Sequence, residues 1–326
     1  MIPLTMFARA AVLLLAFLPS LPAHVLSISN GELAVDGVRA QYQLRMPVYE
    51  TPHIRDPRDL LRAVRFFARG EEARRSGERC EQRAADGVIV CETTLEFSFA
   101  PERLEVECLL HSITVPNHVH LLRASRGSGK DQAAFDLSFT RAELRFVPPS
   151  GFELGVKHTA AGAMRMWGGI EQWLFLLTLA VAARGRREWA ALVGSFLAGL
   201  VLSAVITRRS GWEPAPQFVE SAMALTVAYL AVEVLALPKG GYRWLIAAVL
   251  GVFHGWYFSL FLVNSGYPAA PVLAGASAAA ALPAGLFAWG LAQAGRLLPP
   301  PRVAQALAGL LVCAGLGWFF LRLGSG

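Results

Sequence analysis

The chain has 326 residues, 54% of them hydrophobic and 17% charged, whereas an ordinary soluble domain carries about 25% charged residues. This composition excludes a disordered chain and an average water-soluble enzyme, and it points to a membrane protein. The formal net charge is +6, but residues 24–166 hold nineteen basic and nineteen acidic side chains, while residues 167–326 hold ten and five. The excess sits in short segments between apolar runs, as membrane topology places it, so it implies no nucleic-acid partner.

Residues 1–23 read as a signal peptide. Arg9 supplies a positive charge, Ala10 to Leu18 is apolar but too short to span a bilayer comfortably, and Pro22-Ala23 suits signal peptidase. Cleavage there makes His24 the mature N-terminus.

Residues 24–155 read as an extracytoplasmic β-rich domain resembling a sandwich. Asp36-Gly37 is a hairpin-turn dipeptide, and Val38 to Met46 alternates apolar and polar side chains without a fault. Shorter alternations follow at Leu95, Phe97 and Phe99, at Leu104, Val106 and Cys108, at Phe135, Leu137 and Phe139, and at Leu144 and Phe146. One helix is expected among them. Asp56 would cap it, Pro57 suits its first turn, and Leu60, Leu61, Val64 and Phe67 make one apolar stripe.

Export places three of the four cysteines in an oxidising compartment. A hairpin with loop Ala84 to Gly87 sets Cys80 opposite Cys91, the expected disulfide, and leaves Cys108 buried. His118 and His120 would share one face of a strand, near His111, which makes these three a candidate ectodomain metal group.

Residues 156–326 form the transmembrane domain. Six apolar runs, at about 167–183, 189–206, 218–237, 244–263, 271–294 and 303–321, are each long enough to cross roughly 30 Å of hydrocarbon. With the β-domain exported, Arg184, Arg186, Arg187, Lys239, Arg243, Arg296 and Arg302 fall in inner loops, which fits the positive-inside tendency. The expected fold is therefore an α+β membrane protein: an exported β-sandwich-like domain followed by a six-helix bundle. Its expected location is a bacterial inner (cytoplasmic) membrane, multi-pass, with the N-terminal domain in the periplasm. The spacings Gly251 to Gly255 and Ser195 to Gly199 suit close helix packing.

Chemistry in such a bundle rests on ionisable groups inside apolar runs, which are costly there. Four occur: Glu171, Glu220, Glu233 and His254. At about 1.5 Å rise per residue, Glu171 and His254 reach similar depths near the midplane and could meet. Imidazole with carboxylates suits nickel, copper, zinc or cobalt. No Gly-x-Ser-x-Gly turn surrounds Ser203, and no nucleotide-binding loop occurs, so neither an enzyme nor a nucleotide partner is expected.

The run Gly162 to Leu179, GAMRMWGGIEQWLFLLTL, followed by Phe218 to Leu225 through Glu233, and then Gly251-Val252-Phe253-His254-Gly255, resembles the HupE/UreJ family of membrane proteins. The resemblance spans about 160 residues and includes a branch with a signal peptide and an exported N-terminal domain. It implies a permease for a nickel-type divalent cation, or an accessory protein of metalloenzymes. The family's first helix is similar to His-x-x-x-Gly-x-Asp-His. Here Arg165 stands at the first histidine, Gly169 matches, Glu171 replaces the aspartate and Gln172 the second histidine. Leu200 takes the place of a second-helix ligand, and only His254 survives of the family's histidines; His158 lies seven residues before Arg165. The residues implied for a metal or ion path are thus His254, Glu171, Glu220, Glu233 and Gln172. The alternative is a non-transporting protein whose bundle anchors a periplasmic module that binds or assembles an exported protein partner. Membrane lipid is expected around either.

Overall fold

A computed structural model describes residues 28–48, 51, 54–83, 87–114, 118–136, 139–147, 150–212, 214–237, 241–297 and 300–323. The expected signal peptide (1–23), His24, the expected hairpin loop 84–86, Leu137 and Lys239 lie outside the described residues. The chain forms an N-terminal β-rich unit, His24–Gly155, and a helical unit from Val156 onward.

The β-rich unit contains two sheets. The first has six strands, β1 (Ile28–Asp36), β2 (Arg39–Pro47), β5 (Arg74–Arg83), β6 (Val88–Glu96), β8 (Val119–Arg126) and β9 (Gly129–Phe135), in the order β5-β6-β2-β1-β8-β9. The second has four, β3 (Val64–Ala68), β4 (Glu71–Glu72), β7 (Leu104–Cys108) and β10 (Arg141–Leu144), in the order β10-β7-β3-β4. The Asp36-Gly37 turn closes the β1–β2 hairpin, with Asp36 opposite Arg39 and Gly37 at φ 57°, a conformation glycine adopts at little cost. Strand β1 then pairs in parallel with β8, Ser29 facing His120. Leu33, Leu44 and Leu122 from one sheet and Val64, Phe66 and Val106 from the other enter one buried core, and Tyr42 meets Phe66 edge to face at 4.9 Å. On the four-stranded sheet, Glu107 accepts from Arg65 at 3.0 Å and Arg141 at 2.6 Å, one rung across three strands.

Two local expectations are corrected. The helix expected from Asp56 through Phe67 is a single turn, α1 (Asp59–Arg62). Asp56 Oδ1 accepts from the Arg58 amide, and Leu60 and Leu61 are buried, but Val64 and Phe67 belong to β3. The residues that could form a helical stripe also fit an alternation of Val64, Phe66 and Ala68, and pairing with β7 selects the strand. The run through Phe135, Leu137 and Phe139 is no continuous strand either. β9 ends at Phe135, and Phe139 is exposed outside any strand, its amide donating to Asp136 Oδ1. A second one-turn helix, α2 (Leu110–Ile113), follows β7.

Cys80 and Cys91 are register partners on β5 and β6 and form the expected disulfide. Cys108 is free and buried, and burial pushes its thiol up to about 12.

Helix α3 (Gly151–Trp167) enters the helical unit at Val156, and α4 (Ile170–Ala182), α5 (Arg186–Ser210), α6 (Pro216–Ala236), α7 (Arg243–Ser265), α8 (Ala269–Leu297) and α9 (Pro300–Leu323) follow within it. Five stretches, Arg186–Ser210, Phe218–Ala236, Arg243–Ser265, Ala269–Gly295 and Arg302–Leu321, are long and apolar enough to cross a membrane. Six such spans were expected. The first is divided by Gly168-Gly169, after which α4 has only 13 residues, about 20 Å at 1.5 Å each. The preceding α3 was not anticipated, because its polar residues and glycines hid its periodicity.

Glycines set the closest crossings. A Cβ on Gly199 would strike the Ala248 carbonyl, and one on Gly251 the Phe196 carbonyl, so α5 and α7 touch backbone to backbone. A Cβ on Gly162 would likewise meet Val272, which fixes α3 against α8.

Candidate ion site in the helical unit

His254 is completely buried at the middle of α7. Its ring lies 4.5 Å from Phe175 on α4 and 5.2 Å from Phe196 on α5, centroid to centroid. Its Nε2 is 3.1 Å from Thr226 Oγ1 on α6. That hydroxyl donates its one proton to the Met223 carbonyl at 2.6 Å, so toward the imidazole it can only accept. Nε2 therefore carries the hydrogen, and Nδ1 presents a lone pair with no hydrogen-bond partner. Beside Thr226, a groove of about 790 Å³ is lined by Phe218, Ser221, Leu225, Phe253 and Phe319.

The buried acids have separate surroundings. Glu171 on α4 accepts from Trp318 Nε1 on α9 at 2.6 Å. Glu220 is buried in the first turns of α6. Glu233, near the other end of α6, pairs with buried Arg243 at 3.3 Å. That guanidinium also donates to the carbonyls of Ala182 and Leu237, joining the end of α4, the end of α6 and the start of α7. Arg243, read from sequence as a topogenic loop charge, is thus an internal clamp, and only its tertiary partners reveal this. Gln172 is buried, with both amide atoms unpartnered, and lies under Gly169, where a Cβ would strike its oxygen. Among the described residues His254 meets Thr226, and Glu171 accepts from Trp318.

The histidines of the β-rich unit form a different arrangement. Ser29 Oγ lies 2.8 Å from His118 Nε2 and 2.7 Å from His120 Nδ1, while His120 Nε2 is 3.1 Å from the Tyr42 hydroxyl. Burial, and then neighbouring His118, bring the His120 ring down to about 3, and burial raises Tyr42 well above its ordinary value. His120 and Tyr42 are thus neutral members of a hydrogen-bonded network, and Gly31 leaves room for it, since a Cβ there would meet His120 Nε2 at 2.7 Å. His111 is half-buried, with its ring shifted down by desolvation. Among the described residues, no group of three or more His, Cys, Asp or Glu side chains is placed to hold a metal ion. The partners missed from sequence, Ser29 and Tyr42, lie 91 and 78 residues from His120.

A β-rich unit followed by apolar helices with buried ionisable side chains defines a multi-pass membrane protein. Within it, residues 146–275 match the family model described as HupE / UreJ protein. The matched stretch runs from α3 through α7 into the start of α8, and so contains Glu171, Glu220, Glu233 and His254. No curated protein matches the chain.

Proposed function

We propose that the helical unit passes a divalent transition-metal cation of the nickel, copper, zinc or cobalt type across the bacterial inner membrane, with the β-rich unit on the periplasmic side. The observation that carries this reading is the bare Nδ1 lone pair of His254, buried among apolar helices that also bury Glu171 and Glu220. An imidazole nitrogen is a borderline-soft ligand for these ions, and carboxylates supply the charge a cation needs in hydrocarbon. The metal is cargo, and the protein catalyses no covalent step. The likeness to HupE/UreJ proteins supports a metal-related role, with Arg165 and Gln172 standing at the motif's histidine positions. Glu233 has its own cation in Arg243 and serves the fold rather than the path.

Metal analysis by mass spectrometry tests this on protein purified in detergent after growth with each of the four metals. Wild type is expected to hold about one ion per chain, and His254→Ala and Glu171→Gln to lose it. Equal metal in all three proteins, or none in wild type, overturns the proposal.

A second reading, in which the bundle anchors a periplasmic binding or assembly module, is favoured by a groove of about 710 Å³ on the six-stranded sheet. Glu32, Gln41, Gln43, Glu92 and Arg123 line it.

A further inference from the structure

Arg165, near the end of α3, is 4% exposed. Its guanidinium carbon lies 4.4 Å from the ring centre of Tyr257 and 5.8 Å from that of Phe261, both on α7. The aromatic faces attract the cation without neutralising it. Two of its nitrogens, Nε and Nη2, are buried with no hydrogen-bond partner among the described residues. Two of the bundle's buried carboxylates have donors of their own, Glu171 in Trp318 and Glu233 in Arg243. A second orphan lies two turns earlier on the same face of α3: His158 Nε2 is buried without a partner, its ring 4.4 Å from Tyr267. Tyr267 in turn meets Phe261 at 5.9 Å, so both nitrogen groups lie against one aromatic wall.

Which two nitrogens are unpartnered selects the ligand. The Nε–H and the adjacent Nη2–H point the same way and form the side edge of the guanidinium fork, spaced for the two oxygens of one carboxylate. A buried guanidinium is permanently charged, and leaving that edge empty is costly, whereas a planar anion satisfies both donors and the charge together. We propose that Arg165 anchors a binding site for a small organic carboxylate, held bidentate on its Nε/Nη2 edge with its apolar part against Phe261 and Tyr257. The site takes an anion where the motif it resembles has a histidine, and it stands whether or not a cation crosses the bundle.

The test is thermal unfolding of the full chain in detergent, titrated with sodium acetate and, at matched ionic strength, sodium chloride. Acetate is expected to raise Tm along a saturating curve, by about 2 to 4 °C at tenfold excess over its dissociation constant, with chloride far weaker. Arg165→Met is expected to remove the acetate response. Arg165→Lys keeps the charge but not the fork, and is expected to weaken apparent acetate affinity about tenfold or more; it carries the test if the methionine variant does not fold. Equal responses to acetate and chloride, no saturable response in wild type, or an acetate response unchanged in Arg165→Lys would each overturn the proposal.

Discussion

His120 shows how one side chain changes meaning with its partners. In sequence it is half of a chelating pair. In the fold both its nitrogens are engaged by hydroxyls, and burial holds its ring down to about 3. The folded value lies below the ordinary value of 6.5, so between those pH values the unfolded chain binds the extra proton. Stability is complete above about pH 6.5 and falls as pH drops toward 3, with a limiting slope of about 1.4 kcal/mol per pH unit for one proton. Glu107 acts at the acid end. Arg141 and then Arg65 hold its carboxyl below 4.5, so its contribution is present above that value and is lost below it. Thermal unfolding of the full chain between pH 7 and 5 checks the histidine: His120→Gln is expected to flatten the pH dependence that wild type shows. A wild-type Tm that does not change over this interval would show that the ring titrates normally. His254, Arg165 and His158 make the same point in the bundle, since what each can bind is set by which of its nitrogens the neighbours leave unpaired.

At the scale of elements, the α5–α7 crossing depends on side chains that are absent. Gly199 and Gly251 admit the opposing carbonyls of Ala248 and Phe196, and where lipid replaces water, close van der Waals contact is the main force left to hold two helices. Gly251→Val forces the helices apart and is expected to cost about 2 kcal/mol, read as a lower Tm and a broadened elution profile in detergent. Gly194→Val on α5 is the control, since nothing lies within 4 Å of a Cβ there; an equal loss in both variants would refute the crossing as the cause. The spacings of Gly251 and Gly199 were legible in sequence. The break at Gly168-Gly169 was not, because a glycine pair inside an apolar run is common in membrane helices and ends one only where packing favours the turn. Val64 to Ala68 was misread for a related reason: five residues satisfy a helical stripe and a strand equally, and β7 decides between them.

At the scale of the molecule, the Cys80–Cys91 disulfide tests the proposed export of the β-rich unit, because such a bond persists in an oxidising compartment. In intact cells Cys80 and Cys91 are expected to resist a thiol reagent until reductant is added, while replacing both with serine is expected to cost about 3 kcal/mol, as closing a loop of this length implies. Free thiols at both positions in untreated cells would place this unit on the reducing side. The segment matched to HupE/UreJ proteins ends at residue 275, within α8, so Trp318 on α9, the partner of Glu171, lies outside it.

Composition and periodicity alone determined a β-rich unit followed by apolar helices, the Asp36-Gly37 hairpin, the Cys80–Cys91 pairing and the buried ionisable residues that single out the bundle. These follow from local rules, because burial and hydrogen bonding leave a repeat of two or of about 3.6 residues in the chain itself. Only the tertiary structure decided what those residues face: Ser29 and Tyr42 for the histidines of the β-rich unit, Thr226 for His254, Trp318 for Glu171, Arg243 for Glu233, and an aromatic wall for Arg165. Hydrogen-bond and ion-pair partners far apart in the chain leave no period to read, yet they set the protonation, charge and open valence on which function depends.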